Sequence, residues 1–181
     1  KIKILDTDWA QRETLRSRIY SMQTNLALSA CTGDWCLYIQ ADEVVHEKYL
    51  PALRARCEQL VSQSDIEGLL FGFRHFWGDY RHYLVNHKWY PREIRIVRNG
   101  LGVASVGDAQ SFRLHGRKLR VATVDAEMFH YGYVRPPERM ARRTRDVTRT
   151  YWGREKAREM TKENAGSFDY GSLEHLPVYE G

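Results

Sequence analysis

Residues 32–43 read Thr32-Gly33-Asp34-Trp35-Cys36-Leu37-Tyr38-Ile39-Gln40-Ala41-Asp42-Glu43, and the expected architecture follows from this segment. Its apolar run, residues 35–39, has no polar alternation, which is typical of a strand covered on both faces in a parallel sheet. The run turns polar at Gln40, and the carboxylates Asp42 and Glu43 follow. Because ligands of open α/β sheets bind beyond the carboxyl ends of strands, the sequence predicts a site here.

Helical periodicity lies on both sides of this strand. Residues 13–30 carry an apolar side chain at every third or fourth position, which predicts an amphipathic helix packed on a sheet; these are Leu15, Ile19, Met22, Leu26 and Ala30. A second helix is predicted to begin at Pro51, with Leu53, Cys57, Leu60 and Val61 on one face. With a strand at residues 1–5, this half reads strand, helix, strand, helix, the pattern of an α/β fold.

The second half of the chain has a different amino-acid composition. Residues 69–77, 92–98 and 119–124 are rich in β-branched and aromatic side chains, which predicts strands of a mixed or antiparallel sheet. Residues 137–164 form a long, very basic helical region. We expect one domain over residues 1–165 and a tail over 166–181. The first strand has nothing before it to pair with, so we also expect that the N-terminal part of the domain is missing.

Composition limits the class of protein but does not choose a function. The chain has 181 residues, of which 43% are hydrophobic and 28% charged, so it is globular rather than disordered. No segment approaches the roughly 20 apolar residues that span a bilayer, and no signal peptide is visible, so we expect a cytoplasmic protein. Three cysteines, Cys31, Cys36 and Cys57, have no metal-binding spacing and are interpreted as reduced core residues. A net charge of +5 suits nucleic acid, anionic membranes or phosphorylated small molecules.

Two interpretations of Asp42 follow from its position. Hard carboxylate oxygens suit Mg²⁺ or Mn²⁺, which bridges protein to a diphosphate and offsets the charge that builds up on a departing diphosphate. Alternatively, Asp42 caps the following helix, a common role of aspartate. The position alone does not decide between them.

A family resemblance favours the first interpretation. Residues 24–28 and 32–43 resemble the part of the family 2 glycosyltransferases in which a helix leads through Gly-Asp-Trp into a strand ending in an Asp-x-Asp-type metal motif. The resemblance implies a GT-A-like fold, with a mixed sheet flanked by helices in three layers. It also implies inverting, Mn²⁺- or Mg²⁺-dependent transfer from a nucleoside-diphosphate sugar. Gln40 stands where the family has Asp, so the resemblance implies Asp42 as the metal or diphosphate ligand. The amide of Gln40 could hydrogen-bond a ribose or sugar hydroxyl.

The same resemblance covers residues 93–137 and implies further site residues. Similar enzymes place a late histidine on the metal or diphosphate, and His130 matches it, at a predicted loop position on the same sheet edge. Neutral imidazole is a common metal ligand, although a histidine satisfied within a strand is the plain alternative. Arg135 is expected to contact the diphosphate or to lie on the surface. In the family, a first strand with an acidic residue for the nucleobase precedes the region where this chain begins.

Inverting transfer needs one general base beside the acceptor hydroxyl. Asp108 is our first candidate, since similar enzymes carry an acid after the acceptor-side sheet, and Glu93 is the second. An ordinary turn aspartate after Gly107 is the alternative interpretation of Asp108. Glu43 is expected to support Asp42 or to begin the following helix.

The aromatic segment at residues 74–90 is interpreted as an acceptor region, because aromatic faces bind the apolar faces of sugars; core packing is the alternative. We expect effects on a saccharide or lipid-linked acceptor at Trp77, Tyr80 and Trp89. The histidines His46, His75, His82 and His87 form no recognisable zinc pattern. Most basic helices are solvated faces, and peripheral membrane contact is a second interpretation of residues 137–164.

Two other classes of protein remain open from sequence. A nucleic-acid-binding module would account for the basic pI of about 9.2, but it leaves Asp42 without a role, and no nucleic-acid partner is expected. A metal-dependent phosphoesterase needs more clustered carboxylates or histidines than the sequence offers. The family resemblance therefore implies a glycosyltransferase of the hexosyl type.

Overall fold

The protein is described by a computed structural model over residues 2–7, 9–10, 12–85, 89–161 and 167–181. Its helices are α1 (Arg12–Leu15), α2 (Arg18–Ser29), α3 (Leu50–Leu60), α4 (Pro137–Trp152) and α5 (Arg154–Thr161). Its strands are β1 (Trp35–Leu37), β2 (Glu43–Val45), β3 (Gly68–Trp77), β4 (Arg92–Arg98), β5 (Val103–Val106), β6 (Ser111–Leu114), β7 (Arg117–Lys118) and β8 (Val121–Tyr133). The content of helices and strands confirms the predicted α/β class.

Two sheets organise the chain. The larger has the strand order β1-β4-β3-β8-β2, and the smaller has the order β5-β6-β7. In the larger sheet β3 and β8 pair in parallel, whereas the other neighbours are antiparallel, so the predicted mixed sheet is confirmed. The predicted strands at residues 69–77 and 92–98 correspond to β3 and β4, and the one at 119–124 is the beginning of the longer β8.

The larger sheet is covered on both faces by apolar clusters. One cluster joins β4 to the smaller sheet through side chains such as Val97, Phe112 and Leu114. The other joins the opposite face to α3 through Leu53, Leu60, Leu69 and Phe71, among others. The adjacent β4 residues Ile96 and Val97 belong to different clusters, as strand alternation requires.

The first predicted strand pairs differently from the expectation. β1 lies at the sheet edge, antiparallel to β4, and Leu37 is 44% exposed. The prediction of a doubly covered parallel strand was therefore wrong. The apolar side chains are covered by other means, since the Trp35 indole donates to the Cys57 carbonyl at 3.2 Å and the Tyr38 ring packs on Phe112. An apolar run indicates burial but does not identify the neighbouring strand.

The helix predicted at residues 13–30 is broken by Arg16, whose φ is 54°. Its predicted buried stripe was also wrong, because Met22 and Leu26 are about half exposed. The helix instead turns a polar side inward: the Asn25 amide donates to the Ser105 carbonyl at 3.0 Å and accepts from its N–H at 2.7 Å. These two bonds fix α2 on β5.

The second helix agrees with its prediction more closely. It begins with Leu50 and Pro51, and both Leu53 and Leu60 are buried against the sheet. Val61, which was placed on the same face, follows the helix and is 45% exposed. Cys36 is buried and Cys57 half-buried, but Cys31 is exposed, so its assignment to the core was wrong.

The chain ends differ from their predictions in detail. Residues 2–7 form no strand, and Ile2 and Ile4 are exposed. The basic region is two helices, divided at Gly153 with φ of 89°. The expected domain boundary and the end of the basic region fall at residues 162–166, outside the described residues. Within the described residues, no helix is both long and apolar enough to cross a membrane.

Residues 167–181, the predicted tail, lie against the larger sheet. The Tyr179 ring packs on Phe129 at 5.2 Å between centroids, and Val178 forms an isolated β-bridge with His82. The Tyr170 hydroxyl donates to the Arg135 carbonyl at 2.9 Å. The tail therefore supports the segment that joins β8 to α4.

The connection from β1 to β2, residues 38–42, is called the crossing segment and joins opposite edges of the larger sheet. A flat sheet of five strands spaced about 4.8 Å apart would be about 19 Å wide, close to the full reach of an extended connection of this length. The Glu43 N–H donates to the Gln40 carbonyl at 3.1 Å, and this turn shortens the segment. The sheet is therefore curled, which brings its two edges together.

A buried ion pair fixes this crossing. Arg95 on β4 donates to both carboxylate oxygens of Glu43 on β2, at 3.0 and 2.8 Å, and the two residues are 2% and 6% exposed. The Gln40 N–H adds a bond to Glu43 at 3.1 Å. Glu43 therefore begins a strand and secures the crossing, rather than beginning a helix.

We predict that Arg95→Leu lowers the free energy of unfolding by about 3–5 kcal/mol, because the Glu43 carboxylate stays buried without its partner. Urea unfolding measures the change. The control is Arg54→Leu, which breaks an exposed pair with Glu58 on α3 and should have little effect. Equal losses in the two variants would contradict the role given to Arg95.

Candidate functional site

A cavity of about 630 Å³ lies beside the crossing segment. All five residues selected from sequence for the site line it, namely Gln40, Asp42, Asp108, His130 and Arg135. The structure thus brings together residues that are up to 95 positions apart in the chain, from Gln40 to Arg135. Its size is within the range of about 300–1,000 Å³ typical of small-molecule sites.

Asp42 and His130 meet because β2 pairs with β8. The register places Glu43 opposite His130, and the Tyr131 N–H donates to the Asp42 carbonyl at 2.8 Å. His130 Nε2 then stands 3.7 Å from Asp42 Oδ2, an ion-pair distance rather than a close hydrogen bond. Two expectations were wrong: His130 lies inside β8 instead of in a loop, and Asp42 precedes a strand instead of capping a helix.

Arg143 is the second partner of Asp42, and sequence reasoning missed it. Its Nη2 donates to Asp42 Oδ2 at 3.2 Å from α4. His130 first, and Arg143 by its charge, lower the pKa of Asp42 to about 2 against the opposing effect of burial. A signal was present in the sequence: Arg143 is three residues after the buried Met140 and four before Val147, which also lines the cavity.

Because Gly132 has no side chain, Asp42 and His130 have room to approach each other beside it. A Cβ at this position would lie 2.5 Å from His130 Nε2 and 2.8 Å from Asp42 Oδ2. Its φ is not positive, so the need for glycine comes from close approach and not from backbone conformation. Arg135 adds a donor from the same segment, since its Nε bonds the Gly132 carbonyl at 3.3 Å.

A pair of carboxylates lies elsewhere in the cavity. Asp108 Oδ2 accepts from the Tyr151 hydroxyl at 2.9 Å, and burial together with Asp108 raises the pKa of that tyrosine, which keeps it a donor. Burial, helped by the charges of Glu43 and Asp108, raises the pKa of Glu93 to about 7 despite Arg95. Asp108 is thus held by a hydrogen-bond donor, whereas Glu93 has a pKa near neutrality.

The aromatic segment is divided between different roles. Trp89 lines the main cavity and also a second one of about 550 Å³, with Phe73 and Tyr90 shared between the two. Trp77 lines neither; its indole donates to the Tyr170 carbonyl at 3.0 Å and holds the tail. Tyr80 is 69% exposed and is also outside both cavities. Packing therefore explains Trp77, and Trp89 alone of the three faces a cavity.

The histidines that formed no zinc pattern are separate in the structure, with one exception. His46 accepts from the Lys48 N–H, and His82 pairs with Asp79 at 2.8 Å. His87 lies outside the described residues. His75 is the exception, because it lines the main cavity and contacts His130.

Asp42 and His130 could hold a divalent cation only if a bound ligand supplied further coordinating atoms. In the described part of the chain, no group of three or more His, Cys, Asp or Glu side chains could hold a metal ion. Asp42 and His130 offer one oxygen and one nitrogen, which suits Mg²⁺ or Mn²⁺ when diphosphate oxygens and water complete the sphere. Arg143 shares the same Asp42 oxygen, so it would compete with the cation.

Comparisons with known proteins add no assignment. No model of a known protein family matches the chain, and no curated protein matches it significantly. The interpretation of the cavity therefore depends on its geometry and chemistry.

We predict that Gly132→Ala raises the pKa of Asp42 from about 2 toward its ordinary value, because the new methyl group separates the carboxylate from His130. Overpacking should also lower the free energy of unfolding by about 1–3 kcal/mol. Carboxyl ¹³C titration and urea unfolding measure the two effects. Gly33→Ala is the control, since its Cβ would meet only the Trp35 carbonyl at 3.5 Å. An unchanged Asp42 midpoint in Gly132→Ala would refute the steric argument.

We predict a pH-dependent difference in stability between the wild type and Glu93→Gln. The pKa of Glu93 rises from an ordinary 4.5 to about 7 on folding, so its protonated form favours the fold below pH 4.5. That advantage is lost as the pH rises through 7. Relative to Glu93→Gln, the wild type should lose about 1–2 kcal/mol across this interval, after allowance for solvent screening.

Urea unfolding at pH 4.5, 6 and 8 measures this difference. The exposed Glu174→Gln serves as the control and should follow the wild type at each pH. A constant difference between Glu93→Gln and wild type over the same interval would rule out the raised pKa.

Proposed function

We propose that this chain is the catalytic part of an inverting, metal-dependent glycosyltransferase with a GT-A-type fold. It would transfer a sugar from a nucleoside-diphosphate donor to a saccharide or lipid-linked acceptor. The observation that carries the proposal is the joining, in one cavity, of the Asp42–His130 pair, the arginines Arg135 and Arg143, and the carboxylates Asp108 and Glu93. The mixed, curled sheet is compatible with such a fold.

The cationic side of the cavity suits a diphosphate. Arg135 and Arg143 line it, and a guanidinium binds phosphate oxygens through a fork of two N–H groups. Arg143 stays in place through its contact with Asp42, with its guanidinium carbon 5.5 Å from the Tyr133 ring centre. Both arginines are thus available to a donor that enters beside Asp42.

Asp42 and His130 would hold the divalent cation. When bound, Mn²⁺ or Mg²⁺ supplies neutralisation of the charge that develops on the departing diphosphate. Gln40 lies two residues before Asp42 and lines the same cavity, where its amide would bind a ribose or sugar hydroxyl. Arg143, which contacts Asp42 Oδ2 at 3.2 Å, would bind the diphosphate instead when Asp42 holds the cation.

Asp108 would act as the general base. The acceptor hydroxyl gives its proton to the Asp108 carboxylate while its oxygen bonds to the anomeric carbon and the bond to the diphosphate breaks, so the configuration inverts. Burial, with a smaller contribution from the charge of Asp108, raises the pKa of Glu93, which supports Glu93 as the carboxylate that holds a proton and Asp108 as the base. Glu93 remains the alternative base, because a pKa near the working pH favours proton transfer.

Trp89 marks the side from which the acceptor would approach. It lines both the main cavity and the second one, as does the adjacent Tyr90. Aromatic faces pack against the apolar C–H surfaces of sugars. For a lipid-linked acceptor, the exposed arginines of α4 and α5 would contact an anionic inner leaflet from the cytoplasmic side.

We predict that Mn²⁺ or Mg²⁺ together with one of UDP, GDP, dTDP or CDP raises the melting temperature of the protein. A ligand at 100 times its Kd stabilises the native state by about 2.7 kcal/mol. The rise should disappear in Asp42→Asn and persist in Asp125→Asn, an exposed carboxylate outside the cavity. No rise with any nucleotide and metal would contradict the proposal. Nucleic-acid binding that weakens steeply with salt would then support the basic-module alternative.

We predict that Asp108→Asn lowers kcat by about 10²- to 10⁴-fold, the usual contribution of a general base. The nucleotide-dependent rise in melting temperature should be retained, because Asp108 is not assigned to donor binding. The matched variant is Glu93→Gln, which should retain most of kcat. A severe loss in Glu93→Gln with a mild one in Asp108→Asn would exchange their roles.

A further inference from the structure

The second cavity, of about 550 Å³, has no ligand assigned so far. It lies beside β3, at the point where that strand changes its pairing partner. The Phe73 N–H donates to the Pro91 carbonyl at 2.9 Å, just before β4 begins, and the Leu84 N–H donates to the His75 carbonyl at 2.9 Å. Because Phe73, Leu84 and Pro91 all line the cavity, its position follows from this change of partner.

Arg74 and Glu127 are the charged side chains in the described lining of this cavity. They come from the neighbouring strands β3 and β8, and Arg74 Nη2 donates to Glu127 Oε1. The Tyr49 hydroxyl donates to Glu127 Oε2 at 3.3 Å, and the guanidinium carbon of Arg74 lies 4.3 Å from the ring centre of Tyr83. These contacts hold both charged side chains in place.

The Arg74–Glu127 pair is still partly accessible, since 20% of the first side chain and 29% of the second are exposed. Arginine only donates hydrogen bonds and an ionised glutamate only accepts them, whereas a sugar hydroxyl does both. The pair is neutral as a unit, so it attracts a phosphate less than Arg135 and Arg143 of the main cavity do. An entirely apolar ligand would remove the pair from water without replacing its hydrogen bonds. The pair therefore favours an uncharged ligand that carries hydroxyl groups.

Aromatic side chains form much of the remaining lining, namely Phe73, Tyr83, Trp89 and Tyr90. Aromatic rings pack against the apolar C–H surfaces of sugars. Ligand sites commonly combine such walls with a few polar groups in fixed positions, as Arg74 and Glu127 are here. Walls and polar groups together match the chemistry of a sugar ring.

The second cavity adjoins the main one. Phe73, Trp89 and Tyr90 line both cavities. Tyr90 is 53% exposed, so the boundary that the two cavities share reaches the protein surface. A saccharide of two or more units can therefore pass across Tyr90, with one unit in each cavity.

We propose that the second cavity is a subsite for an uncharged sugar unit of the acceptor, so that the acceptor is an oligosaccharide with units in both cavities. Arg74 and Glu127 bind the hydroxyl groups of that unit, and Trp89 and Tyr90 contact its C–H surface. The link to the acceptor rests on the transferase proposed above, whereas saccharide binding itself requires neither donor nor metal.

The first measurement is ¹H–¹⁵N NMR of the five tryptophan indoles during titration with saccharides in the absence of nucleotide and metal. The probes are maltose, cellobiose, lactose and N,N′-diacetylchitobiose, together with the monosaccharides that they contain. We expect at least one disaccharide to shift the indole signal of Trp89 and to bind more tightly than its monosaccharides. The indoles of Trp35 and Trp152, which line neither cavity, should not shift.

A double variant, Arg74→Met with Glu127→Leu, places this binding in the second cavity. Replacing both partners by apolar side chains of similar volume leaves no unpaired charge and is often neutral for stability. We expect about 10- to 100-fold weaker disaccharide binding, because hydrogen bonds to charged groups are lost. The matched control, Arg54→Met with Glu58→Leu, removes an exposed pair outside both cavities and should bind as the wild type does. Thermal melting identifies any general loss of folding.

Tyr90→Ala tests the aromatic contact separately. Tyr90 is 53% exposed and Tyr80, the site of the control Tyr80→Ala, is 69% exposed, so both variants should stay folded. We expect weaker disaccharide binding in Tyr90→Ala alone, because Tyr80 lines neither cavity.

A Trp89 indole that no saccharide of the panel shifts would overturn the inference. Binding that is equally strong in the Arg74 and Glu127 double variant and in Tyr90→Ala would overturn it as well. If a nucleotide with metal still stabilised the protein in either case, the transferase would stand and only the subsite would fall. Saccharide binding that depends on Arg74 and Glu127, without any response to nucleotide and metal, would keep the saccharide site and contradict the transferase.

Discussion

The Glu43–Arg95 ion pair links the two edges of the curled sheet at the crossing segment. Residues 38–42 join β1 to β2, which are opposite edges in the strand order, and the pair binds the far end of this segment to β4. A buried ion pair is seldom worth more to stability than an apolar contact of equal size, but losing one partner is costly. Its main effect here is therefore to select one path for the crossing, and Asp42 lies on that path.

The cavity is assembled from this point by strand register. The pairing of β2 with β8 brings Asp42 to His130, and the parallel pairing of β3 with β8 brings His75 to the same ring. The helix after β8 then supplies Arg143 and Tyr151. His130 and Arg143 consequently collect around Asp42, whereas Asp108 is held by Tyr151 and Glu93 lies 3.6 Å from Arg95. The acidic groups of the cavity therefore have different partners and different electrostatic surroundings.

Local features were predictable from sequence because they depend on local chemistry. β-Branched and aromatic content located β3 and β4, and the apolar run that ends in two acids led to the selection of Asp42, which lines the cavity. The errors arose where long-range pairing decides the outcome. The apolar run of β1 indicated burial but did not indicate that the strand lies at the sheet edge. The hydrogen bond between Asn25 and Ser105 orients α2 with a polar side toward β5, so that part of its apolar stripe is exposed. The contact of His75 with His130 depends on the register between distant strands, which single-residue patterns do not contain.

Paramagnetic broadening of histidine ring signals by Mn²⁺ tests directly whether Asp42 and His130 hold a cation. Ring signals of the seven histidines are recorded as Mn²⁺ is added in the presence of a nucleoside diphosphate. We predict selective broadening of His130 and His75, with the exposed His115 and His175 spared, and loss of this selectivity in Asp42→Asn. Broadening that omits His130, or that is the same in Asp42→Asn, would contradict a cation and diphosphate site at this pair.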